Sequence, residues 1–162
     1  MEGAEHEPVL IQLGRVTVAY SMLDMALDSL LDLVLGPDGH WEEYWGAKFK
    51  LKALAAGLPS IDDPFFEAEL KAWTERVEPL AAERNDVIKR CRMFYVGLPH
   101  RPGLYAFKPG PSIVRVEPAA LADLVRRLDQ VANEGWGYHA ALKGDFEPDG
   151  PFGPREEGGA FG

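Results

Sequence analysis

One cysteine, Cys91, in 162 residues rules out an internal disulfide. The four histidines, His6, His40, His100 and His139, stand far apart, and none has a second histidine or the cysteine four residues away. No zinc pattern exists, and neither a metal nor a cofactor is expected. No apolar run reaches the length of a membrane span, and the opening Met1–Glu7 is acidic where a signal peptide is basic. These absences predict a cytoplasmic chain without membrane contact. A net charge of −9 also lacks the surplus of lysine and arginine that grips a nucleic-acid backbone by counterion release. There is no internal repeat.

What is present is helical periodicity. At 162 residues the chain is one domain, long enough to bury a core unaided. From about Val9 to Leu35 the positions Leu13, Val16, Tyr20, Leu23, Leu27, Leu30 and Val34 step by three and four, and Gly36-Pro37 stops the pattern. Asp24, Asp28 and Asp32 form a carboxylate row beside that seam, which reads as a solvated face, with Asp24 nearest the apolar side. Trp41–Ala56 reads as a shorter helix, although Lys48, Lys50 and Lys52 alternate as on a strand. Asp62-Asp63-Pro64 caps a third helix running to about Arg90, with a kink expected at Pro79. After Cys91, which reads as buried packing, the period shortens. Residues 93–96, 104–107 and 112–116 are β-rich and separated by Gly and Pro, so a hairpin or ribbon is expected, its aromatics Phe94, Tyr95, Tyr105 and Phe107 packing on the helices. Glu117-Pro118 opens a last helix through Leu121, Leu124, Leu128 and Val131. The fold class is therefore mainly α: an antiparallel four-to-five-helix bundle with a small β-hairpin between the third and last long helices. Residues 145–162 have no periodicity and carry five acids against one base, which predicts a disordered tail beyond a 1–144 domain.

The third helix holds the most informative stretch. Phe66, Leu70, Trp73, Val77, Leu80, Arg84, Val87 and Cys91 step by four and three along one face, so Arg84 points where a hydrophobe is expected. An unpaired buried guanidinium costs several kcal/mol. Arg84 is therefore either paired with an acid, for which Asp24 is the candidate, or placed in a cleft to meet an anion. Asn85 and Lys89 are i, i+4 neighbours beside it, and Lys89, Arg90 and Arg92 make a local basic run that can hold a phosphate.

The order of long helix, short helix, long helix ending in Arg84-Asn85, hairpin and final helix resembles the HEPN domains, a nucleotide-binding and ribonuclease fold of prokaryotic toxins and defence proteins. In that family Arg-Asn-x-x-x-His-Gly closes the third helix; here Arg84 and Asn85 match, Lys89 stands at the histidine position and Arg90 at the glycine. The resemblance implies a homodimer joined through helical faces, two motifs in one cleft, and metal-independent RNA cleavage. Arg84 would steady the scissile phosphate, Asn85 would position its neighbours, and Lys89 would replace the general base. A lysine near its ordinary pKa of ~10.4 is protonated at neutral pH and is a poor base. Three readings follow: a catalytically impaired dimeric binding module for RNA or a nucleotide phosphate, an active metal-independent endoribonuclease of toxin or defence type, or a helical scaffold with no nucleotide ligand. An antitoxin-like protein partner belongs to the first two. In the first two readings the resemblance makes Arg84, Asn85 and Lys89 the catalytic or former catalytic set and Arg84, Lys89, Arg90 and Arg92 the phosphate contacts; Asp24 is the structural partner of Arg84 in the alternative in which that charge is buried and paired.

Overall fold

The computed structural model describes residues 7–36, 46–90, 94–95, 104–107 and 113–144, with side chains described over 7–36, 46–88 and 116–144. Four helices dominate: α1 (Glu7–Leu35), α2 (Ala47–Gly57), α3 (Pro64–Arg90) and α4 (Pro118–Lys143). A 3-10 turn, Leu58–Ser60, follows α2. Between α3 and α4 the described backbone holds three short paired segments, β1 (Phe94–Tyr95), β2 (Leu104–Phe107) and β3 (Ile113–Arg115), antiparallel in the order β1-β2-β3. No helix among the described residues is long and apolar enough to cross a membrane. Cys91, Arg92 and the 145–162 tail lie outside the described residues.

Local chemistry sets the helix ends. Asp63 Oδ1 accepts the backbone N–H groups of Phe65 and Phe66 at 3.0 and 3.1 Å, and Pro64 fills the first turn, where no donor is missed. α4 closes on Gly144, whose φ of 80° lets its N–H return to the last carbonyls of the helix. α3 passes Pro79 as one continuous helix, the proline ring lying on the exposed side.

The core gathers leucines from α1 (Leu23, Leu27, Leu30, Leu31) with Leu54, Leu70, Leu124 and Leu128, and holds the fully buried Trp73. The Trp73 indole N–H donates to the Val131 carbonyl at 3.0 Å, and its ring meets Tyr138 edge-on at 6.0 Å. α4 approaches closely there because position 135 has no side chain: a Cβ on Gly135 would lie 2.7 Å from Trp73 Cζ2 and 3.2 Å from Ala26 Cβ.

The helix directions depart from the antiparallel expectation. α3 does run against α4, as the Arg76–Glu134 pair at 2.9 Å and the Arg127–Glu83 pair at 2.8 Å show. α1 and α4, however, run the same way: Ile11, Gly14 and Val18 share a groove with Val125 and Asp129, while Ala26 lies against Gly135. α2 also parallels α1, since Asp24 and Asp28 meet Lys50 while Val34 meets Gly57. Periodicity marks which face of a helix is buried and carries no information on direction.

Candidate functional site

The seam of α3 is fully buried at Leu70, Trp73 and Val77 and opens at Arg84, which is half-buried. The guanidinium carbon lies 4.1 Å above the ring centroid of Tyr20 on α1, so the charge rests on an aromatic face. Arg84 Nη1 donates to Asn85 Oδ1 at 3.1 Å, and Arg84 Nε is buried without a hydrogen-bond partner among the described residues. The side chain thus fills an apolar position with its stem while the π-face and one amide oxygen fix its head.

Asp24 is not the partner of Arg84. Its Oδ1 accepts from Lys50 Nζ at 2.8 Å, and Asp28 Oδ1 lies 2.5 Å from the same nitrogen. Lys50 is 7 % exposed, and two carboxylates one helical turn apart offer a buried ammonium more than a single acid would. In a helix, Lys50 points away from Lys48 and Lys52, which stay exposed, because two residues turn the chain by about 200°. Two carboxylates of the row expected to be solvated, those of Asp24 and Asp28, are therefore committed to an internal ion cluster.

Titration in this cluster moves away from neutrality. Burial opposes the Lys50 charge, but the hydrogen bonds it donates to Asp24 and then Asp28, reinforced by both negative charges, raise its pKa above the ordinary lysine value. Burial likewise raises the Tyr20 phenol, helped by the Asp24 charge and opposed by Arg84, by the backbone N–H of Ala47 and by Lys50. Each group binds its proton more tightly folded than unfolded, so each stabilises the fold below its unfolded pKa and loses that contribution as pH rises through the folded value. Unfolding followed from pH 8 to 11.5 should show stability falling above about pH 10. The fall should be shallower in Lys50→Met; an identical profile in both would remove Lys50 from this account.

Of the residues expected to form the site, the structure brings Arg84 and Asn85 together. Lys89 and Arg90 lie on the last turn of α3 with side chains outside the described set. The residues missed by sequence reasoning are Tyr20 and Lys50. Tyr20 had a signal, since it was the one aromatic in the α1 seam; Lys50 had a weaker one, the middle lysine of an alternating trio that a helix must split between faces. The one described histidine, His139, packs edge-on against Trp136 near the far end of α4. That end of the bundle is marked by Phe66 against Tyr138, eighteen residues before Arg84 and so roughly 27 Å away along α3. No group of acidic, histidine or cysteine residues suited to a metal ion occurs among the described residues. Searches against family models, curated proteins and solved structures give no match.

Proposed function

We propose that the protein is a catalytically impaired, HEPN-like, dimeric binding module of the cytoplasm that takes a phosphate-bearing ligand, RNA or a nucleotide, at the Arg84–Asn85 end of α3. One observation supports this above others. Arg84 has no carboxylate partner among the described residues, and is held flat by Tyr20 and Asn85 rather than neutralised. A preoriented guanidinium with its charge unspent is the donor that recognises phosphate oxygens. The impairment rests on Lys89 at the histidine position and on the neighbouring titratable groups: Tyr20 and Lys50 both move further from a pKa suited to a general base at neutral pH.

Arg84→Ala should reduce affinity for a labelled mononucleotide or a short RNA at least tenfold in fluorescence anisotropy, with the melting temperature changed by only a few degrees. Arg84→Lys should recover little, because an ammonium loses the planar fork. A clear loss of stability with unchanged affinity would make Arg84 a structural residue and remove the case for a ligand. Incubation with structured RNA in EDTA should give equal, background cleavage for the wild type and Arg84→Ala. Cleavage that Arg84→Ala abolishes would replace this reading with an active nuclease.

A further inference from the structure

Two opposite charges flank Tyr20. Asp24 follows it by four residues, so the two side chains lie on one face of α1 with Cβ atoms about 5–6 Å apart. Arg84 reaches the same ring from α3, its guanidinium carbon 4.1 Å above the centroid. The charges of Asp24 and Arg84 act on the Tyr20 phenol in opposite directions, which places both around one group. An arginine and a carboxylate in such proximity commonly form a forked pair. In this structure they stay apart. Asp24 Oδ1 accepts from Lys50 Nζ at 2.8 Å, and Arg84 Nε is buried without a hydrogen-bond partner among the described residues.

The element that separates them is α2. Its first residue, Ala47, donates its backbone N–H to the Tyr20 phenol oxygen, and Lys50, less than one turn later, enters between Asp24 and Asp28. The Lys50 side chain is 8 % exposed, whereas that of Asp24 keeps 37 % of its surface. The lysine is therefore the anchored member of the pair, and the carboxylate is the one with room to turn.

We propose that Lys50 is a positioning residue for the Arg84 site: by holding Asp24 it keeps that carboxylate off the guanidinium and leaves the Arg84 charge for a ligand. This rests on the phosphate-site reading above and names what protects the site. Without Lys50, Asp24 stands beside Asp28 with no cation, and a rotamer change toward Arg84 exchanges a like charge for an opposite one. The fork that would grip phosphate oxygens is then occupied, and a ligand must displace an acid tethered to the same chain. Asp28 cannot take this part, because it lies eight residues from Tyr20, about 12 Å along α1.

Two double variants of equal charge separate this role from a general loss of structure: Lys50→Met with Asp24→Asn, and Lys50→Met with Asp28→Asn. The probe is N-methylanthraniloyl-AMP, followed by fluorescence anisotropy well below the melting temperature. Lys50→Met should weaken binding at least about tenfold, the loss of one charge-assisted contact. Adding Asp24→Asn should return affinity to within about threefold of the wild type, while adding Asp28→Asn should leave it weak. Melting temperatures give a readout that needs no ligand. Arg84→Ala should cost at least about 3 °C more in the Lys50→Met background than in the wild type, and the excess should vanish once Asp24→Asn is present. If Lys50→Met does not fold, Lys50→Gln, which keeps a donor for one carboxylate, carries the same series. Unweakened binding in Lys50→Met, equal affinities in the two doubles, or an Arg84→Ala cost that Lys50→Met does not change overturns the proposal and leaves the ligand reading standing. A wild type that does not bind the probe, or binds it as Arg84→Ala does, overturns the ligand reading, and the melting comparison then decides alone whether Lys50 restrains Asp24.

Discussion

Lys50→Met is expected to cost about 2–4 kcal/mol, or about 5–15 °C in melting temperature for a domain of this size. The mutation leaves Asp24 and Asp28, whose oxygens both lie within 2.8 Å of the ammonium, facing each other one turn apart with no cation between them. The figure is set below the full cost of stranding a buried charge because about a third of each carboxylate's surface remains exposed, 37 % for Asp24 and 31 % for Asp28. Replacing all three residues at once, with Asp24→Leu, Asp28→Leu and Lys50→Met, should recover most of the loss, since a well-packed apolar trio needs no compensation for desolvated charge. Urea denaturation of the wild type, Lys50→Met and the triple variant measures this directly. A single-mutant cost under about 0.5 kcal/mol would rank the cluster with ordinary surface ion pairs.

Trp73→Ala should be the most damaging single change, at about 3–5 kcal/mol, because it empties the largest fully buried side chain in the described core. Its neighbour across the α3–α4 contact gives a sharper test. Gly135→Ala places a methyl group 2.7 Å from Trp73 Cζ2 and should destabilise by about 1–3 kcal/mol despite the better helix propensity of alanine. Gly137→Ala, two residues along the same helix, meets nothing within 4 Å and should stabilise by up to about 1 kcal/mol. In Trp73→Phe the ring stops short of Cζ2, so combining it with Gly135→Ala should cost at least about 1 kcal/mol less than the sum of the singles. Simple additivity would mean that α4 shifts to make room, and that Gly135 does not set the helix separation.

Spacing alone located the buried seams. Val16, Leu23, Leu27 and Leu30 on α1, Leu70, Trp73 and Val77 on α3, and Leu121, Leu124, Leu128 and Val131 on α4 all lie inside, because a 3.6-residue period maps directly onto one face. The same logic singled out Arg84 but misassigned its partner. Choosing between Asp24 and Tyr20 needs the rotation of α1 about its axis to within one residue. The competing claim on Asp24 comes from α2, whose parallel placement leaves no trace in residue spacing. Lys50 was only faintly legible for a related reason: a helix splits it from Lys48 and Lys52, but nothing in Phe49-Lys50-Leu51 says that an amine turns inward until two carboxylates are known to wait there. Where a charge sits inside a seam, the sequence reports that compensation exists and leaves its source to tertiary packing.

The parallel seating of α1 on α4 also bears on how the chain reaches this state. The most extensive helix contact in the described bundle joins the first helix to the last, so its partners are separated by most of the sequence. A small helical protein with such high contact order forms its decisive interface late, after a long loop has closed. During synthesis, α1 leaves the ribosome well before α4 exists, with the inner leucines and the exposed Met22 and Met25 both bare. Until the last helix arrives, nascent chains on neighbouring ribosomes can meet through either side of α1, and premature association is the hazard this topology carries.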